Sequence, residues 1–220
     1  MSRNDLSRRA RYALYGAIIA ISTLAAIGVK VATEEKPLTR AERFQLLKAS
    51  AESGDPSAQY DVGRRYQHGV GVPKNDAEAL MWYRRSAEKD FPKALNAVGT
   101  FHELGLSMPA DIDEALKYYR RAADAGSPAG MGNLGRMYQA GLGVERNPTE
   151  AVKWFRAAAE LGDAGAQYLL ANQYRLGEGV DRDPLMAAKL FVLAAKQSLP
   201  EAEHVLEIAH QECERKGIVD

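Results

Sequence analysis

Residues 63–85 read GRRYQHGVGVPKNDAEALMWYRR, and residues 135–157 read GRMYQAGLGVERNPTEAVKWFRA. Both carry Gly, a Tyr three residues on, a Gly-x-Gly loop, an Asx, then Ala and a pair of aromatics. Subtraction shows how far the likeness extends. Gly63, Gly99 and Gly135 stand 36 apart, and Ala171 continues the series. Tyr66, His102, Tyr138 and Tyr174 keep the same step, as do Gly69, Gly105, Gly141 and Gly177. Ala79, Ala115, Ala151 and Ala187 do likewise. Four units run from Ala51 to Ala194 without an insertion or deletion. A fixed period of this length is the signature of a solenoid, in which each unit is stable only against its neighbours.

Each unit reads as two helices. The first begins after Asp55, Asp90, Ser127 or Asp163, with Pro56, Pro92 and Pro128 close behind three of them. A short polar cap followed by proline in the first turn is a helix start. The Gly69-type glycine supplies a left-handed C-cap. The second helix begins at Asn75, Asp111, Asn147 and Asp183, all Asx at one register, whose side chains accept from free N–H groups of the first turn. Ala58, Val62, Gly63 and Tyr66 form one stripe of the first helix, and Ala79, Trp82, Tyr83 and Ala87 one stripe of the second. Small residues recur where backbones approach and aromatics where a gap needs filling. A leucine at Gly135 is therefore expected to overpack a helix crossing.

The sequence predicts an all-α protein, an α/α solenoid preceded by a single transmembrane helix. Its segments are a basic stretch (1–11), a membrane anchor (12–29), a linker (30–40) and a capping helix (41–50). Repeats follow at 51–86, 87–122, 123–158 and 159–194, then a partial repeat and capping helix (195–220). In the fourth unit, surface arginines of the second helix become Val192 and Leu193, apolar surface suited to a capping helix lying over it. The second unit departs most: GLSMPAD, residues 105–111, lacks the second glycine, so a locally different turn is expected there.

The pattern resembles the Sel-1-like repeat family, relatives of the tetratricopeptide repeat. Residues 51–87 read AESGDPSAQYDVGRRYQHGVGVPKNDAEALMWYRRSA, and residues 159–195 read AELGDAGAQYLLANQYRLGEGVDRDPLMAAKLFVLAA. The match covers about residues 41–206. A tetratricopeptide repeat steps by 34 residues and lacks the Gly-x-Gly-Val loop. The resemblance implies a right-handed superhelix with first helices lining a concave side. It implies adaptor or scaffold work, often in bacterial envelope, secretion, polarity or stress pathways, and brings no catalytic residues.

The N-terminus carries a separate signal. Arg3, Arg8, Arg9 and Arg11 precede an uncharged stretch from Tyr12 to Val29, which Lys30 ends. As a helix it rises about 27 Å, close to the hydrocarbon thickness of a bilayer. Tyr12 and Tyr15 sit where interfacial aromatics belong, and the arginines favour an inside N-terminus. A single-pass anchor in a bacterial inner membrane, with the repeats in the periplasm, is the expectation. The alternatives are a signal peptide cleaved after Ala26-Ile27-Gly28, leaving a soluble periplasmic or secreted chain, and a mitochondrial presequence, against which Asp5 counts. Gly16 and Ala20 give a small-x-x-x-small step that would serve self-association.

Composition narrows the function. Lys+Arg and Asp+Glu are 29 each, which argues against a nucleic-acid binder. The lone Cys213 makes neither an intramolecular disulfide nor a Cys-x-x-Cys pair. The run HVLEIAHQECE holds His204, Glu207, His210 and Cys213 three apart; the drift of about 60° per step keeps all four from one ion. His102 occupies a repeat aromatic position and reads as core filling, and His68 as a helix-terminal residue. The glycine loops follow helices rather than strands, so they are not phosphate cradles. No Ser/His/Asp set or carboxylate pair is singled out by the repeat plan, so no enzyme, cofactor, metal or small-molecule substrate is expected. Arg84-Arg85, Arg120-Arg121 and Arg156 read as a solvated row on the second helices, or as a contact for anionic lipid or an acidic partner.

The candidate partner-binding stripe lies on the first helices. Tyr60, Asn96, Gly132 and Tyr168 share one register; Arg64, Thr100, Arg136 and Asn172 share the register four residues on, so both rows lie on one face. A peptide or helix of a protein partner laid along this concave groove would find aromatic anchors and arginines for acidic groups. The bland reading is a stripe that is solvated or packs on the next unit.

Overall fold

The helices follow the period. The computed structural model describes residues 38–197 and 199–215, with 209–215 described by backbone alone. Among them α1 (Arg40–Glu52) stands by itself. The four repeats are α2 (Pro56–His68) with α3 (Asp76–Ala87), α4 (Pro92–Leu104) with α5 (Ile112–Asp124), α6 (Pro128–Ala140) with α7 (Pro148–Glu160), and α8 (Ala164–Leu176) with α9 (Pro184–Ala195). A last helix, α10 (Pro200–Arg215), follows. Each helix packs on the next, and first helices of neighbouring repeats also touch, α4 with α6 and α6 with α8. The result is an all-α repeat solenoid. The expected anchor, residues 12–29, lies outside the described residues; among those described, no helix is long and apolar enough to cross a membrane.

Asn75, Asp111, Asn147 and Asp183 all cap second helices, each side chain accepting from the backbone N–H three residues on. Gly69, Gly105, Gly141 and Gly177 all end first helices in the left-handed conformation. Gln59 and Gln167 donate to Ala51 O and Ala159 O in the last turns of α1 and α7, carbonyls that also accept from the Gly54 and Gly162 N–H groups.

Two turns of the second repeat differ from expectation. Asp90 does not cap α4. It stands one residue earlier, at the register of Gly54, Gly126 and Gly162, and shares their positive φ, 52° against 101°, 82° and 85°. The cap position falls to Phe91, which makes no side-chain cap bond and packs instead against Tyr60. The second correction concerns the loop after α4. Ser107 replaces the second loop glycine yet keeps its left-handed conformation, φ 63° against 77°, 67° and 74° at Gly71, Gly143 and Gly179. Asp111 N–H then donates to His102 O, as Asn75, Asn147 and Asp183 do to their tyrosines. The turn is conserved in shape although its glycine is gone.

Inside the first three repeats a ring covers a gap left by a missing side chain; Ala171 takes the position in the fourth. A Cβ on Gly63, Gly99 or Gly135 would lie 2.7, 2.8 or 2.5 Å from the rings of Tyr83, Tyr119 and Phe155. The core is built from these crossings and from the fully buried alanines Ala79, Ala115 and Ala151.

Both ends depart from this plan at the same crossing. In α1 the Ala79 register holds the exposed Arg43, and in α10 the Gly63 register holds the exposed Glu207. Phe44 and Ala51 still bury α1 against α2, and Ala202 is fully buried in α10. The expectation that the last helix covers Val192 and Leu193 is not met. Val205 and Leu206 of α10 pack into the fourth-repeat core, while Val192 and Leu193 stay 39% and 47% exposed.

Candidate functional site

The two rows of the first helices lie on one face, and the second and third repeats join them through side chains. Thr100 Oγ1 donates to Asn96 O at 3.1 Å and accepts from the Tyr119 hydroxyl at 3.2 Å. The same hydroxyl lies 2.6 Å from Glu103 Oε2. Glu103 Oε1 accepts from Arg136 Nη2 at 2.8 Å, and Arg136 Nη1 donates to Asn133 Oδ1 at 2.8 Å. Asn133 Nδ2 then donates to Asn96 Oδ1 at 2.9 Å. Asn96, Thr100 and Arg136 thus belong to one network that crosses the repeat boundary.

Three members of that network were not singled out in the sequence: Glu103, Tyr119 and Asn133. A signal for one existed. The Glu103 register holds Gln67, Gln139 and Arg175 elsewhere, so an acid there is a local departure, and Arg136 follows by one period less three residues.

The other stripe residues stand outside the network. Tyr60 is half-buried, its ring centroid 5.5 Å from Tyr83 and 5.7 Å from Phe91. Tyr168 packs edge-on against Phe191 at 5.6 Å. Asn172 Nδ2 donates to Tyr168 O, and its Oδ1 accepts from Arg175 Nη2 at 2.9 Å. Arg64 is exposed and has no ion pair among the described residues. A cavity of about 260 Å³ opens beside it, lined also by Asp61, Arg65, His68 and Val70. Gly132, at the centre of the stripe, is itself buried, yet a Cβ there would meet nothing within 4 Å.

The electrostatics favour a fixed surface over proton transfer. Burial first, then the hydrogen bond to Glu103, pushes the Tyr119 phenol well above its ordinary range, and burial does the same for Tyr83. Groups held that far from neutrality are poor general acids or bases at physiological pH. Both Glu103 oxygens are satisfied, and its side chain is only 13% exposed.

The arginines of the second helices are all exposed, as a solvated row would be, and several also reach across repeat boundaries. Arg120 and Arg156 each donate through Nη2 to the tyrosine of the next repeat, Tyr138 at 3.0 Å and Tyr174 at 3.1 Å. Arg121 reaches back to Asp90 at 2.8 Å and to Ala87 O. Arg85 lies over the Trp82 ring at 4.7 Å, a cation–π contact. His102 is buried and stacks on Tyr118 at 5.5 Å, as core filling requires. His204 and Glu207 are exposed, while the side chains of His210 and Cys213 lie outside the described set.

Comparison with known proteins matches this architecture. A family profile, Sel1 repeat, fits residues 56–91, 92–127, 128–163 and 164–199, the same period in a phase five residues later than the units delimited from sequence. A Sel1 repeat protein from Oxalobacter formigenes is similar in structure with a TM-score of 0.70 at 34% identity, over 74% of this chain and 67% of that one. A protective antigen of uropathogenic Escherichia coli with an SLR fold gives 0.66 at 38% identity, over 72% of this chain but only 34% of the antigen. An immunity protein from Pseudomonas aeruginosa shares the fold at 0.56 and 24% identity, over 82% of this chain and 66% of its own. No curated protein matches the chain.

Proposed function

Because the chain belongs to the Sel1 repeat family, whose members generally bind protein partners, we propose that it is an interaction scaffold whose first-helix face holds a segment of a partner protein. The observation that carries this reading is the network from Asn96 through Asn133, Arg136 and Glu103 to Thr100. It fixes polar groups on a surface that needs no such network for its own core. Preorganised donors and acceptors lose little freedom on binding, which is how a modest surface gains affinity. Tyr60 and Tyr168 stand at either end of the stripe as half-buried anchors, and Arg64, with Asn172, extends its polar row. Direct contact of α4 with α6 and of α6 with α8 supports taking the first helices as the inner, concave side.

The chain is proposed to act at a bacterial inner membrane with its repeats in the periplasm. What supports this is the sequence: four arginines, then eighteen uncharged residues from Tyr12 to Val29. Neither nucleic acid nor a small-molecule substrate enters the reading. A photo-crosslinking residue placed at Arg64 or Asn172 in native membranes tests it, with Lys153 as control. A discrete crosslinked protein at the stripe positions and none at Lys153 is expected. Equal labelling at all three, or none, overturns the stripe as the binding face. Recovery of the full chain in the carbonate-washed membrane pellet, lost on removal of residues 1–30, tests the anchor; a soluble chain shortened near Gly28 would favour signal cleavage.

A further inference from the structure

A second surface, on the second helices of the third and fourth repeats, breaks the pattern of the others. At one register the solvent side carries Glu78, Glu114, Glu150 and then Met186. At another it carries Arg84, Arg120, Arg156 and then Val192; at a third Arg85, Arg121, Ala157 and then Leu193. Met186 is 37% exposed and Leu193 47%. Lys189 is the only charge left on α9. Two cavities flank these residues. One of about 460 Å³ is lined by Ala188, Lys189, Val192 and Leu193. The other, about 340 Å³, is a groove between α7 and α9: Leu170 and Tyr174 of α8 floor it, Arg156 and Ala159 form one wall, and Met186, Leu190 and Leu193 form the other. A cavity beside α3 is instead rimmed by Arg84, Arg85 and Glu88.

We propose that the groove between α7 and α9 docks an amphipathic helix of a partner protein, its apolar side chains set between Leu190 and Leu193 and its carboxylates facing Arg156 and Lys189. A trough between two helices, floored by apolar side chains, suits a third helix presenting residues one turn apart. The charges select its chemistry. Arg156 bonds only the neutral Tyr174 hydroxyl, and neither Arg156 nor Lys189 has a carboxylate partner among the described residues. A contiguous apolar patch rimmed by polar groups marks an interaction site. A second copy fits less well. Pairing α9 with itself about a two-fold axis sets Lys189 against its own image.

The test is selection of a displayed library of random 16-residue peptides on the full chain in detergent, with counter-selection on Leu193→Arg. Met186→Glu serves as a second variant; both substitutions restore residues that other repeats carry at these positions, and thermal melts confirm that they fold. Enriched peptides are expected to pair two large apolar residues one turn apart with adjacent Asp or Glu. They should become helical on binding and bind either variant at least about tenfold more weakly. Enrichment without acids, binding indifferent to both variants, or no enrichment overturns the proposal. So does a concentration-dependent dimer abolished by Met186→Glu, which assigns the groove to a second copy. Sedimentation of residues 38–220 with phosphatidylglycerol vesicles, abolished by the same change, overturns it too by assigning the face to lipid.

Discussion

Glu103 and Arg136, thirty-three residues apart in the chain, meet at 2.8 Å across the boundary between the second and third repeats. The carboxylate is nearly buried and the guanidinium half-exposed, with side-chain exposures of 13% and 45%. Its other oxygen holds the buried Tyr119 hydroxyl. One acid thus ties the face proposed to bind a partner to the core beneath it.

Unequal coupling follows. Solvent screens Arg136, so a double-mutant cycle of Glu103→Ala with Arg136→Ala should return about 1 kcal/mol or less. The cycle with Tyr119→Phe should return more, because the phenol proton goes to the nearer carboxylate, at 2.6 Å, in a charge-assisted bond out of reach of solvent screening; Thr100 Oγ1, at 3.2 Å, is the weaker acceptor left to it. Denaturant melts of the single and double variants give both numbers, and the reverse order would contradict this account of the network.

Ser107 holds a left-handed conformation that its repeat partners give to glycine. Ser107→Gly should stabilise the chain by about 0.5–1 kcal/mol, since a side chain at positive φ is strained and nothing else in the turn changes. A lower melting temperature would show that the serine side chain makes a compensating contact.

Two glycines of α6 predict opposite outcomes for the same substitution. At Gly135 a Cβ would sit 2.5 Å from the Phe155 ring, whereas at Gly132 it would meet nothing within 4 Å. Gly135→Ala should destabilise by about 1–3 kcal/mol through overpacking, and Gly135→Leu by at least as much. Gly132→Ala should stabilise by up to about 1 kcal/mol through helix propensity alone. If both glycines serve only the fold, Gly132→Ala will be harmless to partner capture; lost capture in a more stable chain would mark the centre of the stripe as a seat for the partner.

His102 gives a pH dependence. Burial first, then the charge of Arg84, hold its imidazole below the ordinary histidine value of about 6.5, against the opposing pull of Glu114 and Asp111. The unfolded chain therefore binds the proton more readily. The contribution of this residue is fully present above about pH 6.5 and falls away as pH drops below it toward the depressed folded value. His102→Tyr, the residue of the other repeats, should flatten that part of the stability profile between pH 7.5 and 5.5. An unchanged slope in the variant would assign the effect to other groups.

What recurs in the chain was legible, and what depends on a single pair was not. The Asx caps and the C-terminal glycines repeat four times at one step and the Gly–aromatic crossings three times, so each position is checked by others. Asp90 shows the hazard of reading one segment alone. It precedes a proline much as Asp55 does, but thirty-six residues beyond Asp55 lies Phe91, and the period itself places Asp90 at a glycine register. Contacts such as Glu103 with Arg136 or Asn133 with Asn96 leave no periodic trace of their own, because they depend on where neighbouring helices bring long side chains. The apolar change at Val192 and Leu193 was visible, but not the side on which α10 would pack.

Arg43 and Glu207 set a limit on assembly. Each stands where an inner repeat has alanine or glycine, at the crossing where the next helix would lie closest. Stacking a second copy end-on in the manner of the repeats would set Glu207 of one copy against Arg43 of the next; the charges are opposite, but two long side chains would have to fit where inner repeats place a glycine against an alanine. Such a stack would be an open, non-closing contact of the kind that grows fibres. Two long side chains therefore stand, by their bulk, against filament growth through this crossing.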